Sequence, residues 1–201
     1  MLPYKKPLST IITAILLVAA FAGGCKSKGP APSKDLQFSA QMVVEEGGTT
    51  ANYKVNFTRQ RQRVEMSMDE HGSGAIIIRP DKGVVWVLMP SMKTFVQTEI
   101  KPENKNPLVY YPDEVLDWKR IGNETVDGHP VVKDVMTIHN KGDKEITLYR
   151  WFATDLGWPI KAEAVDGSWV ITYKDIKTGP QDPQLFEPPS GYKMMKRMVG
   201  H

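Results

Sequence analysis

"AIIIRPDKGVVWVLMP", Ala75 to Pro90, decides the fold. Two runs rich in β-branched apolar residues flank Pro80-Asp81-Lys82-Gly83, where proline presets φ and glycine tolerates the left-handed region, so the stretch reads as a β-hairpin. A surface hairpin normally alternates apolar with polar. Here Ile76-Ile77-Ile78 and Val84 to Met89 put apolar groups on both faces. At about 25 cal/mol per Å² buried, leaving several such side chains wet forfeits a free energy comparable with the stability of a whole domain. The second face must be covered by another sheet, by a short helix with its flanking loops, or by an apolar guest.

Outward from the hairpin the same period-2 character continues. Leu36, Phe38, Ala40, Met42 and Val44 share one strand face, Gly47-Gly48 makes a turn, and Ala51, Tyr53, Val55 and Phe57 line the next strand. The apolar parity changes between Phe57 and Val64, which places a turn or bulge inside "TRQRQR", Thr58 to Arg63. Arg59, Arg61 and Arg63 share one parity and are expected at a solvated strand edge, where charge discourages sheet-to-sheet association. Val64, Met66 and Met68 resume the alternation, and "DEHGSG" from Asp69 is a loop. A strand follows the hairpin at Thr94–Ile100.

"YPDEVLDW", Tyr111 to Trp118, is the best helix candidate, with Pro112 in the first turn and Asp113 and Glu114 near the positive end of the helix dipole. Strand signals return at Lys119–Val126, Val131–His139, Glu145–Thr154, Pro159–Val165 and Trp169–Lys177, separated by glycine- and aspartate-rich turns. The pattern predicts about ten or eleven antiparallel strands of meander type, hence a mostly β sandwich or barrel.

The N-terminus carries a different message. Lys5 and Lys6, the apolar run Ile11 to Phe21, and small residues up to Cys25 form a secretory signal over residues 1–24; the run is too short for the ~30 Å hydrocarbon core of a bilayer. Cys25 is the only cysteine, so no internal disulfide can form. Ala22-Gly23-Gly24-Cys25 resembles the lipobox of bacterial lipoproteins, which implies cleavage before Cys25 and a covalent lipid on it; the plainer alternative is ordinary cleavage with a free thiol. Residues 25–35, rich in Pro, Ser, Gly and Lys, read as a tether with a reach of roughly 35 Å. Lys26 after the cysteine, rather than the Asp usual in inner-membrane lipoproteins of enteric-type bacteria, favours an outer-membrane anchor facing the periplasm. Residues 36–195 then form one domain with a short tail, 196–201.

The two lysines of the signal account for most of the formal charge of +3, so the remainder is near neutral and a nucleic-acid partner is not expected. His71, His129, His139 and His201 lack metal-ligand spacing, and no nucleophile elbow, zinc-protease helix or phosphate-cradling loop is present. We expect no enzyme, no metal and no cofactor beyond the lipid on Cys25.

Three phrases carry a family resemblance. "IIIRPDKGVVWVLMPSMKTFVQ" (Ile76 to Gln97) resembles the central hairpin of LolA/LolB-like outer-membrane lipoprotein-sorting proteins, and more closely that of a related family of small bacterial lipoproteins. "IGNETVDGHPVVKDVMT" (Ile121 to Thr137) and "DPQLFEPPSGYKMM" (Asp182 to Met195) are similar to that family's G-x-E-x-V-x-G segment and its D-P-x-L-F-x-x-P-x-G-Y ending. The resemblance implies a strongly curved antiparallel sheet, a half-open LolA-like barrel, whose concave apolar side is closed by a short helix or loop lid. In the LolA/LolB-like proteins that concavity receives acyl chains. This chain runs from tether straight into a strand, without the carriers' N-terminal helix, and the lid is reduced to the Tyr111–Trp118 region.

Met42, Phe57, Met66, Ile77, Trp86, Leu88 and Met89 are the residues expected to line such a pocket. Methionine adapts to disordered acyl chains, and equally to plain core filling. Two functions follow: a lipid-anchored protein binding an acyl chain or other apolar ligand in its concave sheet, in lipid or lipoprotein handling at the envelope, or a structural or adaptor lipoprotein that recruits an envelope protein partner. The space inside the curve separates them.

Overall fold

The computed structural model describes residues 35–68, 72–100, 115–140 and 144–195. The signal peptide, Cys25, the tether up to Lys34 and the 196–201 tail lie outside these residues. Within them the protein is one antiparallel-dominated sheet of twelve strands: β1 (Gln37–Glu46), β2 (Thr49–Thr58), β3 (Arg61–Met68), β4 (Gly72–Arg79), β5 (Val84–Met89), β6 (Thr94–Glu99), β7 (Val115–Val126), β8 (His129–Asn140), β9 (Lys144–Ala153), β10 (Trp158–Ala164), β11 (Trp169–Thr178) and β12 (Lys193–Met195).

Two meanders build it. The order is β12-β6-β5-β4-β3-β2-β1-β11-β10-β9-β8-β7, so the first and second meanders are welded by β1 pairing with β11. β7 and β12 end the sheet, which is open between them. Local chemistry explains the hairpins: Asp127 and Gly128 both take positive φ (50° and 80°), as a two-residue turn of type I′ geometry requires, and link β7 to β8. Pro80–Lys82 form a single 3-10 turn ended by Gly83 at φ 68°, with Gly83 N–H donating to the Pro80 carbonyl at 3.1 Å. The parity change inside "TRQRQR" is the two-residue turn Arg59-Gln60.

Bulges bend the sheet. Register slips occur between Ser39 and Gln41 opposite β11, where Asp175 has φ 52°, between Pro159 and Lys161, and between Arg120 and Gly122. The curvature brings distant strands together: the rings of Phe57 on β2 and Trp158 on β10 are 4.4 Å apart although β1 and β11 lie between those strands. This is the half-open barrel expected.

The hairpin's two apolar faces have two different covers. Ile76 and Ile78, with Val85 and Val87, pack in the large core inside the curve. Ala75, Ile77, Val84, Trp86 and Leu88 face the other way and form a second cluster around Phe186, with Phe95, Leu185 and Tyr192 packed against it. The cover is the C-terminal segment. Asp182 caps a 3-10 turn, Pro183–Phe186, by accepting from Gln184 N–H at 2.9 Å. From there the chain crosses the outside of the first meander strand by strand. Gln181 bonds Gln37 and Asn56, the Leu185 carbonyl accepts from Arg63, and the Phe186 carbonyl accepts from Arg79. The strap ends as β12, parallel to β6.

Three expectations need correction. Val115–Trp118 is not helical but opens β7, paired with β8 from Val115 opposite Ile138; residues 111–114 of the helix candidate lie outside the described ones. Proline and acids at a segment's start are weak local signals, and a twelve-residue ladder outweighs them. Among the described residues no α-helix occurs, so no helical lid is described. Arg61 and Arg63 do not mark a sheet edge, because β3 is an interior strand between β2 and β4; Arg63 pairs with Glu65 at 2.7 Å and reaches the strap. β12, three residues after a proline-rich turn, carried no alternation to signal it.

Candidate functional site

Most of the inner face of the curve is apolar. Phe38, Ala40, Met42 and Val44 on β1 stand opposite Phe57, Val55, Tyr53 and Ala51 on β2, and Val64 and Met66 continue the face on β3. From the second meander come Met136, Ile138, Leu148, Ile160, Ala162, Ile171 and Tyr173, all within one cluster. One end is plugged by aromatic rings: Phe38 lies 5.1 Å from Phe57, 5.7 Å from Trp158 and 6.0 Å from Tyr173. Beside this plug Leu36 and Leu156, with Asp35 and Asp155, line an open pocket of about 350 Å³.

The seven residues expected to line a pocket do not share one face. Met42, Phe57 and Met66 lie on the inner face and are buried. Ile77, Trp86 and Leu88 are buried on the outer face beneath the strap. Met89 is half-buried and follows Val85 and Val87 in parity. The alternation of β4 and β5 forces this division: a hairpin that is apolar on both sides cannot turn both sides to one cavity. Trp86 instead donates its indole N–H to Gln97 at 2.9 Å and lies under Lys82, whose Nζ is 5.3 Å from the ring centroid. Cys25 lies outside the described residues.

Polar groups also reach the inner face. Asp134 on β8 is directly opposite Arg150 on β9, in parity with Met136 and Leu148. Arg150 Nε and Nη2 donate to its carboxylate at 3.0 and 2.6 Å, and both residues are buried. The Trp158 indole N–H, the Tyr173 hydroxyl and the Trp118 indole N–H are buried without a hydrogen-bond partner among the described residues. Burial also pushes the Tyr173 phenol well above its ordinary range. Such groups are costly to leave unpaired.

The sequence signal for these groups existed. In "VVKDVMTI" and "TLYRWF" a charged residue occupies the parity of buried neighbours, and a charge at a core position needs a partner. The aromatic plug had no such signal, since it joins β1, β2, β10 and β11 across the curve.

On the outer face the strap is held by charge as well as by Phe186. Arg79, 3% exposed, donates from Nε and Nη2 to Asp81 at 2.7 Å each and is hydrogen-bonded to Glu187; Lys82 meets Glu187 at 2.8 Å. The hydrogen bond from Arg79 holds the Asp81 carboxyl below its usual value.

Residues 38–158 match the family model described as "Domain of unknown function (DUF4412)". No curated protein matches the chain. Among solved structures, the chain is similar to one in the complex structure of Pseudomonas aeruginosa MucA/MucB, with 16% identity, TM-score 0.51, and coverage of 76% of this chain and 56% of that one. A crystal structure of MucB gives 15% identity, TM-score 0.50, and 90% and 64% coverage. The LolA superfamily protein NE2245 from Nitrosomonas europaea gives 13% identity, TM-score 0.37, and 87% and 96% coverage. The chain thus spans less than two thirds of the MucB-type chains it matches. At these identities the likeness is one of fold alone.

Proposed function

The chain belongs to the DUF4412 family, and for this member we propose a cell-envelope lipoprotein, anchored through lipid on Cys25, that binds an acyl chain or similar apolar ligand on its inner sheet face. The observation that carries this reading is the largely apolar inner face of an open sheet, in which the Trp158 and Tyr173 polar atoms have no partner among the described residues. A sheet built only to fill itself gains nothing from leaving such donors unpaired. The anchor rests on "AGGC" and on the tether that follows; several acyl chains give lasting attachment where one is marginal. Lys26 favours the periplasmic side of the outer membrane.

Two measurements on the full-length chain test this. Intact mass of the protein recovered from membranes should show acylation at Cys25, lost in Cys25→Ser. Lipid mass spectrometry of the same preparation should find a bound amphiphile, and a fluorescent fatty-acid probe should exchange with it. A protein with no bound lipid that also refuses the probe rejects the binding reading.

A second reading, an adaptor for an envelope protein, is favoured by the β12 end of the sheet. There Met92, Met194 and Met195 expose 57%, 57% and 43% of their surface, and methionine suits adaptable partner surfaces. MucB, which shares the fold, is seen in complex with MucA. Crosslinking in intact cells through residues placed at Met92 and Met194 should trap a protein partner if this reading holds, and none if it fails.

A further inference from the structure

We propose that the open β7 end of the inner face is a site for an anionic headgroup, so that the ligand is an acidic amphiphile with its tail on the apolar interior; this rests on the binding reading above.

The site follows from register. Arg120 on β7 is paired with Asp134 on β8, and Asp134 with Arg150 on β9, which puts three charges in one row across the strands and on one face. Asp134 is consumed by Arg150, which grips it through Nε and Nη2. The row therefore carries a net positive charge, and that charge is at Arg120, exposed on the end strand. Two positions before it on the same strand, with no register slip between them, Trp118 packs against the inner core, and its buried indole N–H has no acceptor among the described residues. Just past Arg120 the register slips, and the bulge returns Asn123 to the same face opposite Val132, where Asn123 Oδ1 accepts from Arg120 Nη2 at 2.7 Å.

The chemistry of this group is one-sided. The indole N–H and the guanidinium offer donors, Asn123 turns its oxygen to Arg120 and so orients it, and the nearby carboxylate of Asp134 is already paired. What fits is an acceptor with negative charge, a carboxylate or a phosphate, which a guanidinium meets with two parallel hydrogen bonds. The neighbours on the same face, Met136 and Leu148, are apolar and buried, so the group that brings the anion must itself be largely apolar beyond it. An anion at the open end with hydrocarbon running inward satisfies the Trp118 donor, the Arg120 charge and the apolar interior together.

The test uses the full-length chain, a dansylated medium-chain fatty acid, the methyl ester of the same probe, and inorganic phosphate as competitor. The acid should bind about tenfold more tightly than the ester, the difference that one charge-assisted hydrogen-bond pair supports. Arg120→Gln should abolish that preference while leaving ester binding unchanged, and Trp118→Phe should reduce it. Arg120 is exposed, so its variant keeps the fold, which circular dichroism checks. Acid and ester binding equally, or Arg120→Gln weakening both alike, overturns the headgroup site while the binding reading stands. Displacement of the acid by phosphate at the affinity of the acid itself overturns the amphiphile and leaves a free-anion site. Refusal of both probes by the unaltered chain overturns the site together with the function it rests on.

Discussion

Asp134 and Arg150 face each other across β8 and β9 inside the curve, joined by hydrogen bonds of 3.0 and 2.6 Å, with side chains 0% and 4% exposed. A buried pair is not itself a strong source of stability, because desolvation offsets the attraction; removing one member is the damaging change. Asp134→Ala leaves a guanidinium inside the apolar face and should lower stability by about 3–5 kcal/mol, whereas Asp134→Leu with Arg150→Met should cost far less. Urea unfolding of both variants measures the difference, and equal losses would show the pair to be solvated.

Phe186 is fully buried between the strap and the hairpin. Phe186→Ala should cost about 3–5 kcal/mol by loss of transfer energy and the cavity left behind. The loss should be local first: amide exchange of Lys193–Met195 should accelerate before that of β1 and β11. Uniform acceleration would mean that the strap and sheet unfold as one unit.

Tyr173 gives a pH signature. Its folded value is raised from an unfolded value of 10.0, by burial. The protonated folded form is therefore favoured, its contribution is complete below pH 10, and stability falls as pH rises beyond that, when the unfolded chain ionises and the folded one does not. Tyr173→Phe should remove this alkaline loss and, because the hydroxyl has no partner among the described residues, should be neutral or stabilising at pH 7. Denaturation midpoints at neutral and alkaline pH decide it; destabilisation at pH 7 would reveal a hydrogen bond to that hydroxyl.

Asp81 supplies the acid-side counterpart. Its folded value is lowered from 3.8, chiefly by the hydrogen bond from Arg79. Its contribution is present above pH 3.8 and is lost as pH falls through the lower folded value. Asp81→Asn should flatten the stability profile in that window without altering its alkaline limb, as acid titration followed by tryptophan fluorescence can show.

The division of faces predicts a separation of effects. Ala162→Leu adds volume inside the curve, where Ala162 faces Arg150 and Ile171, and should weaken a fatty-acid probe at a stability cost of about 1–3 kcal/mol. Leu88→Ala opens a cavity under the strap and should cost about 2–5 kcal/mol with probe binding intact. Loss of binding in the second variant would place the ligand on the strap side.

Much of this fold was readable residue by residue. The alternation of Phe38, Ala40 and Met42, and the turns at Gly47-Gly48, Pro80–Gly83 and Asp127-Gly128, are short-range patterns, and each strand they delimit is present. The helix expected over Tyr111–Trp118 does not hold at Val115–Trp118, whose deciding partner lies in β8, beyond the window in which proline and acids count. The candidate site was legible only in part. Met42, Phe57 and Met66 belong to the inner face, but Ile77, Trp86 and Leu88 could not be assigned a side while their cover, Phe186, was more than ninety positions away.

Composition and periodicity alone established a β protein of hairpins, with a central hairpin too apolar to stand in water on either side. They did so because side-chain alternation and turn chemistry act over a few residues. The joining of the two meanders through β1 and β11, the strap over the second apolar face, and the row of Arg120, Asp134 and Arg150 belong to the tertiary structure. Each depends on register and curvature summed over many strands, quantities that no local stretch of sequence contains.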